Sequence, residues 1–186
     1  MSTSAPIVVI SYDPAWPLHY EEEKSRILAV IAPYVVCMEH MGSTAVPGLA
    51  AKPVIDILIG VRNLSDAPLF LPPLISLGYD YIQKHEAVIP ERRYLHRLVN
   101  GQHTHHLHMV EPDSNFYKVQ ITFRNTLRRH PDTRDQYAAL KLDLAQKYRN
   151  DREAYTDAKS AFILSVLDLA EQEFKTNTPL SLKSNS

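Results

Sequence analysis

The sequence predicts an α+β fold: a mixed β-sheet with an N-terminal helix before it and a helical C-terminal half after it. Three observations carry this. Apolar and β-branched runs near 35–41, 54–61 and 93–111 are short enough for strands. From Asn115 onward apolar residues recur instead at spacings of three and four. At 186 residues, 45% of them hydrophobic, the chain can build one sizeable core but not two comfortable ones. One domain over 1–175 is expected, with the polar stretch 176–186 as a disordered tail.

Each element has a local reason. A β-branched run at 7–10 precedes Asp13-Pro14-Ala15-Trp16-Pro17, which supplies a cap and prolines suited to a helix start. That helix should run through Ile31, with Trp16 pinning it to the sheet. Strands follow at 35–41, where Cys37 reads as a buried small residue, and at 54–61, apolar enough to be covered on both faces. A helix over 66–77 should break early at Pro72-Pro73 and end at Gly78, before a third strand at 79–82. Asn100-Gly101 is a strong hairpin signal between 93–99 and 105–111, with 102–104 lengthening the loop. Helices are predicted at 115–129, 133–148 and 154–174, separated at Pro131 and 149–152. Tyr137, Leu140, Leu144 and Tyr148 form one core stripe, and Phe162, Val166 and Leu169 another.

Composition excludes several function classes. With 20 Lys+Arg against 21 Asp+Glu and a net charge of -1, nothing calls for bulk attraction to nucleic acid or anionic lipid. A single cysteine excludes a disulfide framework and a cysteine zinc cage. The longest apolar runs fall far short of the ~20 residues a membrane span needs. The opening residues also lack signal-peptide character, so no membrane association and a cytoplasmic location are expected.

The chemistry concentrates in Gly42-Ser43-Thr44-Ala45-Val46-Pro47-Gly48 and the strand that follows. Gly42-Ser43 leaves a strand and enters a segment of one or two helical turns. There, backbone N–H groups and the Ser43 and Thr44 hydroxyls can converge on phosphate. Asp56 lies in an otherwise apolar run, where a lone buried carboxylate needs a metal, a base or a cleft edge; the plainer reading pairs it with Lys52 or an arginine. In His103-Thr104-His105-His106-Leu107-His108, alternation puts His106 and His108 on one face and His105 on the other. His106 and His108 are thus candidates for proton transfer or metal binding, beside a plain structural role. Arg124 and Arg128 are one helical turn apart beside Phe123 and Leu127, and with Lys52 they are the preferred ligand-binding cations. Most other basic residues, with Arg92, Lys141 and Lys159 in that group, read as solvated charges.

The block from Glu39 to Val61, with Tyr12-Asp13-Pro14-Ala15-Trp16, His106-Leu107-His108-Met109-Val110, Phe123-Arg124 and 137–141, closely resembles the GrpB-like proteins (UPF0157). That family looks like a branch of the polymerase-β-type nucleotidyltransferase superfamily. The resemblance implies a nucleotidyltransferase-like sheet in which Gly42 and Ser43 face a triphosphate and Asp56 is the first ligand of magnesium or manganese. Together with the histidine face, this leads to the expectation that a nucleotidyl group is transferred to a small-molecule acceptor with Asp56 and His108 as catalytic residues. The chain departs from the pattern at one place: the second carboxylate belongs at position 58, which is Leu58. Two-metal transfer relies on bridging carboxylates. Either one metal is used, or His106 and His108 compensate and shift the preference to manganese, zinc or nickel, or catalysis is lost. In the last case the cleft would be a binding module for a phosphorylated metabolite or cofactor.

Overall fold

The structure, a computed structural model, describes residues 6–177; of the expected tail, 178–186 lie outside the described residues. Asp13 Oδ1 accepts from Ala15 N–H at 2.8 Å, and with Pro17 in the first turn this starts helix α1 (Trp16–Ile31). Strand β1 (Val35–Met41) runs antiparallel to β2 (Ile55–Val61), and β2 runs parallel to β5 (Gln102–Val110). β5 pairs antiparallel with β4 (Arg93–Val99), which pairs with the two-residue β3 (Asp80–Tyr81). The sheet order is β1-β2-β5-β4-β3.

Alternation divides the sheet into two faces. Ile57, Ile59, Leu95, Leu107 and Met109 point toward α1 and α2 (Ala67–Ser76), packing with Trp16, Phe70 and Leu74. On the other face Leu58 and Val110 lie with Met41 beneath Phe116, Tyr117 and Ile121 of α3 (Asn115–Arg129). The remaining helices, α4 (Pro131–Lys147), α5 (Arg152–Asp157) and α6 (Ser160–Asn177), extend this second side. Among the described residues no helix is long and apolar enough to cross a membrane.

Four local expectations are corrected. The hairpin loop is two residues long: Asn100 (φ 52°) and Gly101 (φ 75°) are both left-handed, the type I′ requirement, so Val99 pairs directly with Gln102. Thr104 is absorbed by a register shift between Arg97 and Leu98. Helix α2 continues through Pro72 and Pro73, because burying Phe70 and Leu74 offsets the lost backbone hydrogen bonds. Pro131 begins α4 rather than merely separating helices, since a proline suits a first helical position. The C-terminal helix is two helices, α5 closing before Ser160 starts α6.

Opposite the cleft, α1 is tied to the sheet by Glu23, a buried carboxylate. It accepts from Tyr79 Oη at 2.7 Å, from Arg97 at 2.9 Å and from Arg26 at 2.6 Å. Burial opposes its ionisation, but these donors outweigh burial and hold its pKa below the usual carboxylate range.

Candidate functional site

Between the second face of the sheet and α3 to α6 lies a cavity of about 490 Å³, in the range of small-molecule sites. Its floor is set by strand register. Asp56 on β2 is the neighbour of His106 on β5, and Leu58 is the neighbour of His108. Asp56 Oδ1 accepts from His106 Nδ1 at 2.9 Å, and a quarter of the Asp56 side chain remains exposed. Burial pushes the Asp56 pKa up, while the hydrogen bond from His106 and the nearby Lys52 pull it down and prevail.

Gly42 is explained by the same carboxylate. Its φ is +72°, and a Cβ there would stand 2.4 Å from Asp56 Oδ2, so only glycine lets the loop pass over the acid. Ser43–Ala45 then forms a single 3₁₀ turn. Ser43 lines the cavity, and its hydroxyl has no hydrogen-bond partner among the described residues. Thr44 also lines it, but its hydroxyl donates to Val54 O at 3.2 Å and sits 3.0 Å from His40 Nε2, so it is spent on fixing the loop.

Of the predicted residues, the fold brings Gly42, Ser43, Thr44, Lys52, Asp56, His106 and His108 to one cavity. Arg124 and Arg128 do not line it. Arg124 Nη1 donates to Glu39 Oε2 and His40 O, both at 2.8 Å, and Arg128 donates to Ala45 O at 2.9 Å and 2.6 Å. Their guanidinium groups are consumed in bracing the Gly42 loop from α3, which is the correction to their expected place on a ligand.

Three residues read as solvated charges, Arg92, Lys141 and Lys159, line the cavity instead, with Tyr155 beside them. Lys141 is 3% exposed, donates to Ala50 O and lies 4.7 Å from the Tyr137 ring centre. Burial, then the charges of Lys159 and Lys52, pushes its pKa down to about 7. Burial and Lys52 push Lys159 down to about 8 against the pull of Asp56, and burial lowers Lys52 as well. Both Lys52 and Lys159 sit over the Tyr155 ring. The signal for Lys141 was available, for it interrupts the helical stripe Tyr137, Leu144, Tyr148 at core spacing. Arg92 and Lys159 carried no comparable mark.

Four cationic side chains against one carboxylate give the cavity lining an excess of positive charge. Asp56, His106 and His108 each offer a donor atom within 4.8 Å of the others. One carboxylate oxygen with two imidazole nitrogens does not suit magnesium, which asks for an octahedron of oxygens; the set suits manganese or zinc better. Helix α3 closes the other wall with Phe116, Val119, Gln120 and Phe123.

Comparisons with known proteins agree with this architecture. A crystal structure of the conserved protein GrpB from Enterococcus faecalis superposes with a TM-score of 0.81 at 33% identity, covering 90% of this chain and 99% of that one. The UPF0157 protein YqkA of Bacillus subtilis is 34% identical over 166 residues, 89% of this chain; the chain spans only 48% of that relative's length. A dephospho-CoA kinase of Mycolicibacterium paratuberculosis is 27% identical over 177 residues, 83% of this chain and 44% of its own length. With the family pattern described as GrpB protein matching residues 6–169, the chain belongs to the GrpB family.

Proposed function

We propose that the cleft binds the phosphates of a nucleoside triphosphate together with a divalent cation, and that the protein transfers the nucleotidyl group to a small-molecule acceptor. The observation that carries this reading is the convergence of Lys52, Lys141 and Lys159 with the Ser43 loop and Asp56 in one cavity. Lysines held partly or wholly out of water and without an ion-pair partner are stabilised by a polyanion, which also raises their pKa values toward the normal range. Likeness to a protein named dephospho-CoA kinase supports a ligand of nucleotide type. A cation held by Asp56 and a neighbouring imidazole would supply charge neutralisation at the transferring phosphorus. The chain's own residues would do the rest: the lysines neutralise the leaving phosphates, the Ser43 hydroxyl donates to a phosphate oxygen, and His106 holds Asp56 ionised.

A second reading, a binding module without catalysis, is favoured by Leu58. It is wholly buried beneath α3 at the position of the second carboxylate. Thermal-shift measurements with ATP and with coenzyme-type phosphates, with and without manganese, test the binding both readings share. A ligand at about 100 times its Kd adds roughly 2.7 kcal/mol to stability, so the melting temperature of wild type should rise by several degrees. Lys141→Met should abolish the rise, and Asp56→Asn should remove only its manganese dependence. No rise with any phosphate compound refutes both readings. Pyrophosphate release in the presence of candidate acceptors separates transfer from binding alone.

A further inference from the structure

Arg92 is a cation of the cleft to which none of the described residues supplies an acid. It immediately precedes β4 and is 8% exposed, with its guanidinium 5.2 Å from the Tyr94 ring centre and 5.1 Å from that of Phe116. Its Nη1 donates to His108 Nδ1 at 3.3 Å and its Nη2 to His85 Nδ1 at 3.4 Å, two long contacts to imidazole nitrogens. Among the described residues it has no carboxylate within ion-pair distance, and Nε is buried without an acceptor. A buried charge with neither counter-ion nor full hydrogen bonding is far more costly than a paired one.

His108 shares this condition. A guanidinium only donates, so Nδ1 of His108 accepts and the proton of its neutral ring sits on Nε2. That atom, too, is buried without a partner, and the ring is 8% exposed and stacked on Phe116 at 5.6 Å. Arg92 and His108 both line the cavity. Two buried side chains whose only spare capacity is donation form a half-built site, and oxygens from outside the chain complete it.

This centre is separate from the lysines. Lys52 and Lys159 lie over the Tyr155 ring and Lys141 over the Tyr137 ring, whereas Arg92 lies over the rings of Tyr94 and Phe116. The cleft thus presents its cations in two groups, each against its own aromatic side chains.

We propose that Arg92 and His108 form an oxyanion subsite, distinct from the lysine cluster, that receives the carboxylate or phosphate group of the molecule meeting the nucleotide in this cleft. The acceptor is then an anionic small molecule. The inference rests on the nucleotide reading for the identity of the other ligand, and on Arg92 and His108 alone for the subsite. It also makes His108 a donor to substrate, which leaves Asp56 and His106 for a cation.

Calorimetric titration of inorganic phosphate, and separately of acetate, into the full chain saturated with ATP tests it. One of the two anions should bind wild type, phosphate indicating a phosphorylated acceptor and acetate a carboxylate. Arg92→Met should weaken that anion by about tenfold or more while leaving ATP affinity and the Lys141→Met response unchanged. Its melting temperature should equal or exceed that of wild type, because an unpaired buried cation has been removed. Three outcomes overturn the proposal: neither anion binds ATP-saturated wild type, Arg92→Met weakens ATP as strongly as Lys141→Met does, or Arg92→Met melts well below wild type. If ATP itself fails to bind wild type, the nucleotide reading falls alone. The same titrations into ligand-free protein then decide: Arg92→Met must remove an anion site that Lys141→Met leaves intact, and a failure to do so overturns the subsite.

Discussion

A methyl group at Gly42 would stand 2.4 Å from Asp56 Oδ2, on a backbone whose φ of +72° already excludes most side chains. Gly42→Ala therefore meets strain of roughly 1–2 kcal/mol from the left-handed backbone plus whatever it costs to move the loop off the carboxylate. A loss of about 2–3 kcal/mol in denaturant unfolding is expected, along with loss of the nucleotide-dependent rise in melting temperature. A variant as stable as wild type would show that the loop does not need this approach. Residues of this kind are legible in the sequence: Gly42 is one of five glycines, and Asp56 stands out in an apolar run. Lys159 and Arg92 were not, because their neighbours in sequence are ordinary and only tertiary contacts bury them. Arg124 and Arg128 misled for the opposite reason. Helical spacing places two guanidinium groups side by side, but it cannot say that carbonyls of His40 and Ala45 are waiting for them.

At the scale of elements, β2 and β5 decide the site, since parallel pairing sets Asp56 beside His106 and Leu58 beside His108. Alternation alone gave the face shared by His106 and His108. His105 indeed turns the other way, 4.0 Å from Glu23 on the α1 side. The pairing partner was not legible, because the strand that adds to β2 follows a crossover of about forty residues containing α2, β3 and β4. The same register explains why position 58 cannot easily regain its carboxylate. Leu58 is 0% exposed among Met41, Val110 and Phe116, so Leu58→Asp buries an unpaired charge and should cost about 3–5 kcal/mol. Urea unfolding of that variant, with manganese absent and present, checks this; a stable Leu58→Asp that gains stability from manganese would show that the second metal position survives.

For the molecule as a whole, burial and pairing move the enclosed histidines, Lys141, Lys159, Glu23 and Asp56 in one direction with pH. His40, stacked on Tyr20, is pushed down to about 4 by burial, as is His105, and His108 to about 3. A histidine whose folded pKa lies below its unfolded value of about 6.5 binds fewer protons in the native state. Stability it contributes is complete above that value and is lost as pH falls toward 4. Lys141 and Lys159, at about 7 and about 8 when folded, behave likewise at higher pH, because the unfolded chain holds their protons up to about 10.5. Glu23 and Asp56, held low when folded, lose their contribution only below the carboxylate range. The melting temperature without ligand should thus fall steeply between pH 6.5 and 4 and keep rising from pH 7 to 9. A polyanion on the lysines reverses the second trend by restoring their protons, so nucleotide binding near pH 8 should take up protons. Calorimetry in two buffers of different ionisation enthalpy reads that uptake directly. Binding without proton uptake would place the phosphates away from Lys141 and Lys159.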